Sequence, residues 1–121
     1  MEVRIIIAGG RDFVNYDLLK LEAKRFILEN GLIRPITIVS GCANGADKLG
    51  ERFATEYNFF IDRFPADWDQ FNKRAGPIRN EQMAQNAKYC LVFWDGVSKG
   101  SANMIENAKK YNLIYKVIKY D

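Results

Sequence analysis

The chain contains no histidine, and it has only two cysteines and three prolines among its 121 residues. Without histidine, Ser-His-Asp catalysis, Cys-His catalysis and histidine-ligated metals are excluded within this chain. Cys42 and Cys90 lie far apart and have no C-x-x-C partner. We therefore expect both thiols to be reduced, and we expect no zinc site with four ligands. The chemistry that remains belongs to carboxylates, Arg, Lys, Tyr and backbone groups, and the sequence predicts neither a metal nor a cofactor.

No long hydrophobic run is visible. The apolar stretch Ile5–Ala8 is too short for the apolar part of a signal peptide or for a membrane span. With 48% hydrophobic and 27% charged residues, the composition is that of a soluble globular protein, and the length predicts one domain over residues 1–121. We therefore expect a cytoplasmic protein that does not engage a membrane. A net charge of +3, spread over many positions, gives little support for nucleic-acid binding.

The most informative stretch reads as a strand, a tight turn and a helix. Apolar, mostly β-branched residues predict a buried strand over Ile36–Ser40, and the pattern after the turn predicts a helix over Gly45–Tyr57 with Asn44 as its N-cap. Such a turn leaves backbone N–H groups facing outward, where a phosphate can bind. A purely structural role for Gly41 is the alternative. Asp47 either complements the helix dipole or binds a ligand hydroxyl.

Further apolar runs and glycine turns predict five strands with intervening helices, which is typical of a doubly wound α/β fold with a mostly parallel sheet. Ligands bind such sheets outside the carboxyl ends of the strands, where the strand order reverses. Because three strands end in glycine turns, we expect these turns to converge on one site. The other predicted strands cover Val3–Ala8, Phe59–Phe64, Tyr89–Trp94 and Leu113–Tyr120, with helices over Tyr16–Glu29, from Gly76 and after the turn at 95–101.

The connection over Pro65–Gly76 has no apolar period and is long enough to be a functional loop. Trp68 within it either covers the core or stacks on a flat base. A helix is then predicted with Pro77 at its first position. This helix presents Arg79 for a bidentate contact with a phosphate or carboxylate, with a surface ion pair as the alternative, while Asn80 faces the sheet.

Four motifs in this order resemble the YspA-like branch of the SLOG superfamily: Ala8–Phe13, Ser40–Asp47, Pro65–Trp68 and Ala75–Met83. The resemblance covers nearly the whole chain. It implies a Rossmann-like, three-layer fold and a pocket for a nucleotide or a nucleotide-derived ligand. Members of the superfamily include LOG-type phosphoribohydrolases and the DNA-processing protein DprA, and the resemblance also allows a homodimer.

Two segments of the chain can be compared with motifs of the LOG-type hydrolases, and the chain keeps some residues of these motifs and replaces others. Arg79 matches the arginine of their Arg-Lys-x-x-Met helix start, but Asn80 replaces the lysine. In their Gly-Gly-x-Gly-Thr-x-x-Glu turn, Ser101 stands for the phosphate-binding threonine and Met104 for the catalytic glutamate. Methionine cannot act as a base, so this departure argues against hydrolysis by the LOG mechanism.

We therefore expect binding of a nucleotide or nucleotide-derived small molecule, and we assign no catalytic residue. The alternatives are a phosphoribohydrolase-like enzyme that uses another carboxylate and a DprA-like binder of single-stranded DNA. The expected phosphate contacts, polar contacts and base contact are Gly9, Gly10, Arg11, Asp12, Ser40, Gly41, Gly45, Asp47, Trp68, Arg79, Asn80, Gly100 and Ser101.

Overall fold

The computed structural model describes residues 2–121 and consists of five strands that alternate with helices. The segment between β3 and β4 holds two α-helices joined by a 3₁₀ turn, Asn72–Arg74. The strands are β1 Val3–Gly9, β2 Ile36–Ser40, β3 Phe60–Arg63, β4 Tyr89–Trp94 and β5 Ile114–Lys119, and the α-helices are α1 Tyr16–Glu29, α2 Ala46–Glu56, α3 Trp68–Phe71, α4 Ala75–Gln85 and α5 Lys99–Lys110.

The five strands form one sheet in the order β3-β2-β1-β4-β5, and every pair is parallel. The three central strands are apolar on both faces because helices cover both. One core cluster packs α1 and α2 against the sheet around Ile7, Leu19 and Phe53. The other packs α4 and α5 on the opposite face around Met83 and Met104. The predicted α/β, Rossmann-like three-layer fold is confirmed.

The ends of several elements differ from the sequence-based expectation. Asn15 caps α1 as its residue type predicts, since its Oδ1 accepts a hydrogen bond from the Leu18 N–H at 3.0 Å. The prediction that Asn44 caps α2 was wrong: the cap position is Gly45, and no side chain caps this end. Strands β3 and β5, at the two edges of the sheet, are each two residues shorter than predicted, because each pairs with a neighbour on one side only.

The predicted loop over Pro65–Gly76 is more ordered than its lack of apolar period indicates. The short helix α3 forms because the Asp67 carboxylate accepts from the Gln70 N–H at 3.1 Å, which is a local cap. Helix α4 then begins at Ala75, so Pro77 is its third residue and not its first. This position still suits proline, because the first four N–H groups of a helix have no partner within it.

The remaining features concern the lysines of β5, the apolar character of the helices and the two cysteines. Lys116 and Lys119 lie on the edge strand β5, and Lys116 pairs with Glu29 of α1 at 3.4 Å. Within residues 2–121, no helix combines the length and the apolar character that crossing a membrane requires. Both cysteines are free thiols, as the sequence predicts, and Cys90 is fully buried.

Candidate functional site

The reversal of strand order creates a crevice at one edge of the sheet. From β1 the chain continues through β2 to β3 at one edge of the sheet. It then returns to β4, which pairs with the other side of β1, and continues to β5 at the opposite edge. The connections therefore diverge between the carboxyl ends of β1 and β4, where doubly wound sheets bind ligands. A cavity of about 550 Å³, here called the main cavity, opens at this place. Its size falls within the range of small-molecule sites.

Most of the predicted site residues line the main cavity. They come from the turn after β1, the first turn of α2, helix α3, and the N-terminal turns of α4 and α5. The predicted residues that line it are Gly9, Gly10, Arg11, Asp12, Asp47, Trp68, Arg79, Asn80, Gly100 and Ser101. Gly41 lines an adjoining cavity instead, and Ser40 and Gly45 line neither of the two.

Two contacts fix the Arg79 side chain, whereas the sequence predicts that it is available for a bidentate contact with a phosphate or carboxylate. Its Nη1 donates to the carbonyl of Gly41, a residue 38 positions away, and its Nε donates to Asn80 Oδ1 at 2.9 Å. Among residues 2–121 its Nη2 has no hydrogen-bond partner. Burial lowers the pKa of this guanidinium, although the nearby Asp47 carboxylate opposes that shift. A positioned, partly desolvated arginine with one free nitrogen is suited to bind an anion.

Asp47 is buried, and its carboxylate lies close to Arg79 beside Gly41. Its Oδ2 accepts a hydrogen bond from the Ala43 N–H at 3.1 Å, so the carboxylate shapes the turn that precedes the helix. Burial raises the pKa of Asp47 to about 6, even though the Ala43 hydrogen bond and Arg79 favour the charged form. This carboxyl group therefore changes its charge close to neutral pH.

Two helices begin at the main cavity without a side-chain cap. The residues at the cap positions of α2 and α5 are Gly45 and Ser98, and neither side chain satisfies the first N–H groups. Within the described residues 2–121, the N–H groups of Lys99, Gly100 and Ser101 have no hydrogen-bond partner, and Gly100 and Ser101 line the cavity. Unpaired N–H groups and the positive end of the helix dipole favour a bound anion here.

Asn80 is buried and satisfied within a small amide network. Its Nδ2 donates to Asn103 Oδ1 at 3.0 Å and to the Gly100 carbonyl at 3.3 Å. The side chain of Asn107 donates to the same Asn103 oxygen at 3.2 Å. The network ties the start of α4 to the start of α5 and thereby fixes the distance between Arg79 and the free N–H groups of α5.

An exposed pair of side chains forms the outer rim. The Arg11 guanidinium lies 6.0 Å from the centroid of the Trp68 ring, at the outer limit of a cation–π contact. Trp68 is 48% exposed and therefore lies at the surface of the site. On the other side of the turn after β1, Asp12 accepts a hydrogen bond from the Tyr120 hydroxyl at 2.7 Å.

Ser40 and Gly45 have roles within the fold, which differ from the ligand contacts expected of them. The Ser40 hydroxyl is fully buried, and it donates to Glu51 Oε2 at 2.6 Å and accepts from the Cys42 N–H at 3.1 Å. Gly45 adopts φ +80°, and a Cβ there would overlap the Gly10 carbonyl oxygen. Glycine at 45 is therefore required for the turns after β1 and β2 to pack together.

Sequence reasoning missed several residues that line the main cavity. Lys73 and Lys99 add positive charge, and Asn103 completes the amide network. Lys73 lies within the Pro65–Gly76 connection, and Lys99 directly precedes Gly100. Their closeness in sequence to the predicted site residues could therefore have identified both lysines. Asn103 carried no signal, because its partner Asn80 is 23 positions away.

Met104 lies on the buried side of α5 and is 1% exposed. It contributes to the main cavity with Met83, so this part of the wall is apolar. The carboxylates that line the cavity are Asp12, Asp47 and Asp95. Within residues 2–121, no group of three or more Cys, Asp or Glu side chains is arranged to hold a metal ion.

The all-parallel sheet and the reversal of its strand order define a Rossmann-like α/β fold. Residues 3–71 match the model of the YspA, cpYpsA-related SLOG family. The Gene 61 protein of Mycobacterium phage D29 is 33% identical to this chain, and the match covers 88% of this chain and 89% of that protein. The chain belongs to the YspA, cpYpsA-related SLOG family.

A solved structure confirms the fold independently. DNA processing protein A (DprA) from Streptococcus pneumoniae superposes with a TM-score of 0.70 at 18% sequence identity. The match covers 100% of this chain but only 51% of the DprA chain, so this chain spans about half the length of that protein. At this level of identity the likeness concerns the fold alone.

Proposed function

We propose that this domain binds a nucleotide or a nucleotide-derived small molecule in the main cavity, with a phosphate beside Arg79. The observation that carries the proposal is the fixed position of the guanidinium. The Gly41 carbonyl and Asn80 hold two of its nitrogens, and the third is left for a ligand in the cavity that Gly100 and Ser101 of α5 also line. Membership of a SLOG family supports the same class of ligand.

The rest of the cavity offers complementary contacts for a nucleoside. Met83, Met104 and Pro77 give an apolar wall against which a base can pack. The exposed ring of Trp68 offers a stacking surface at the rim. Gly100 and Ser101 supply N–H groups for phosphate oxygens without a bulky side chain in the way.

Binding is favoured over hydrolysis by the residue at position 104. A buried methionine in the cavity wall cannot take or give a proton. The three cavity carboxylates come from other elements, and Asp12 already accepts a hydrogen bond from Tyr120. A release of free base from a nucleoside monophosphate would contradict this preference.

The proposal is tested by isothermal titration with AMP, ADP and a short single-stranded oligonucleotide, each at low and at moderate salt. We expect one nucleotide to bind with an affinity that tolerates salt, because the site contacts few phosphates. Binding of the oligonucleotide alone, lost as salt rises, would instead indicate a surface that contacts a nucleic-acid backbone. Binding of none of these ligands would refute the proposal.

A pair of variants tests the role of Arg79. Arg79→Gln removes the charge but keeps a polar side chain, and we expect the affinity to fall about 10- to 100-fold, as when a charge-assisted hydrogen bond is lost. Arg74→Gln is the matched control, because Arg74 is exposed and lines neither cavity. We expect the affinity of the control to stay within about twofold of the unmodified protein. Equal affinities of the two variants would remove the arginine from the site.

A further inference from the structure

A smaller cavity of about 290 Å³, here called the side cavity, adjoins the main cavity. Four residues line both of them, namely Arg11, Ala43, Trp68 and Arg79. The two cavities are therefore neighbouring chambers with a common wall. A site of this size lies at the lower limit for an independent small-molecule pocket, but it is large enough for one sugar as an extension of a larger ligand.

The positive charge is concentrated at the boundary between the two cavities. Arg79 lies there because Gly41, which binds its Nη1, belongs to the side cavity, while Asn80, which binds its Nε, belongs to the main cavity. Arg11 approaches the same boundary from the rim, over the ring of Trp68. Phosphate bound between these guanidinium groups has space on both sides.

Beyond this boundary the side cavity is neutral. Apart from the two shared arginines, its lining carries no charged side chain, whereas the main cavity is lined by three aspartates and two lysines in addition. The residues that line only the side cavity are Gly41, Cys42, Asn44, Pro65 and Ala66. This lining suits an uncharged polar group such as a sugar.

We propose that the side cavity is a second subsite, so that the ligand is a nucleoside diphosphate whose terminal phosphate carries another sugar. The inference rests on the proposed function, since it requires a phosphate beside Arg79. The nucleoside lies in the main cavity, the diphosphate lies between the arginines, and the second sugar enters the side cavity. Simple nucleotides then leave the side cavity empty and bind more weakly.

The test compares ADP with ADP-ribose by isothermal titration on three proteins. For the unmodified chain we expect ADP-ribose to bind at least about tenfold more tightly than ADP. Ala66→Phe fills the side cavity from a loop position, and we expect it to abolish this advantage while the affinity for ADP stays within about twofold. Gln70→Phe is the matched control, because Gln70 is exposed nearby on α3 and lines neither cavity. We expect this variant to retain the full advantage.

The outcomes separate the subsite from the proposed function. Equal affinities for ADP and ADP-ribose in the unmodified protein would overturn the subsite and leave nucleotide binding intact. An advantage of ADP-ribose that survives Ala66→Phe would also overturn it, because the second sugar would then lie elsewhere. Binding of neither ligand would refute the proposed function, and the subsite with it.

Discussion

Replacing Asp47 by asparagine should make the protein more stable at alkaline pH. Burial raises the pKa of this carboxyl group from an ordinary value of 3.8 to about 6 in the folded protein. Between these two pH values the folded state binds more protons than the unfolded state, so stability must fall as the pH rises through this window. The difference of about two pKa units corresponds to about 3 kcal/mol between the protonated and the charged forms.

The asparagine variant resembles the protonated carboxyl group in size and charge. Its side-chain oxygen still accepts the hydrogen bond that Asp47 Oδ2 now accepts from the Ala43 N–H. At pH 8 we therefore expect Asp47→Asn to raise the free energy of unfolding by up to about 3 kcal/mol. As the pH falls from 6 towards 4, the native carboxyl group becomes protonated, and the difference between the two proteins should shrink.

Urea denaturation of both proteins between pH 4.5 and pH 8 measures this difference directly. Other titrating groups are common to the two proteins, so their contributions cancel in the comparison. A constant difference across the range would refute the raised pKa. A variant that is less stable than the unmodified protein at pH 8 would mean that the attraction between Asp47 and Arg79 outweighs the cost of burial.

Three further predictions follow from single contacts. Gly45→Ala should lower the free energy of unfolding by about 3 kcal/mol or more, since φ at Gly45 is +80° and a Cβ there would overlap Gly10. Gly100→Ala is the control: a Cβ at Gly100 enters open space, so the free energy of unfolding should stay unchanged or rise. Urea denaturation measures both variants. Glu51→Gln should lower the free energy of unfolding by about 1–2 kcal/mol near neutral pH. Burial raises the pKa of Glu51, but hydrogen bonds from Ser40 and Arg63 outweigh burial, so the pKa is lowered in the folded protein. The effect of the substitution should therefore become smaller on acidification, which urea titrations at pH 7 and pH 4 would measure. In a Trp94→Phe variant the fluorescence of Trp68 should change on addition of nucleotide, and an unchanged spectrum at saturation would place the ligand away from this ring.

The central strands were predictable because their signal is local. The bounds predicted for Ile36–Ser40 and Tyr89–Trp94 agree with those of β2 and β4, since continuous apolar runs fit strands that helices cover on both faces. Glycine turns after three strands indicated where the chain passes the edge of the sheet. The rule that ligands bind at a reversal of strand order then located the main cavity.

The details of the site depend on contacts between distant parts of the chain, and no local pattern encodes them. The hydrogen bond from Arg79 to Gly41 spans 38 positions, so the sequence could not show that this arginine is held in place. The burial of Asp47 arises because the turn after β2 folds over it, which helix periodicity does not report. The Ser40-Gly41 turn after a strand predicts a phosphate contact, whereas the Ser40 hydroxyl donates a hydrogen bond to Glu51.

NMR titration of the ¹⁵N-labelled protein with AMP shows where on the domain a nucleotide binds. We predict that the largest changes in amide chemical shift occur at Gly10, Asp47, Gly100 and Ser101, which lie around Arg79 in the main cavity. The amides on the outer face of α1, near Leu21 and Leu28, should remain unchanged and serve as the internal control. Changes that are centred on α1, or that are absent at saturating AMP, would contradict the account.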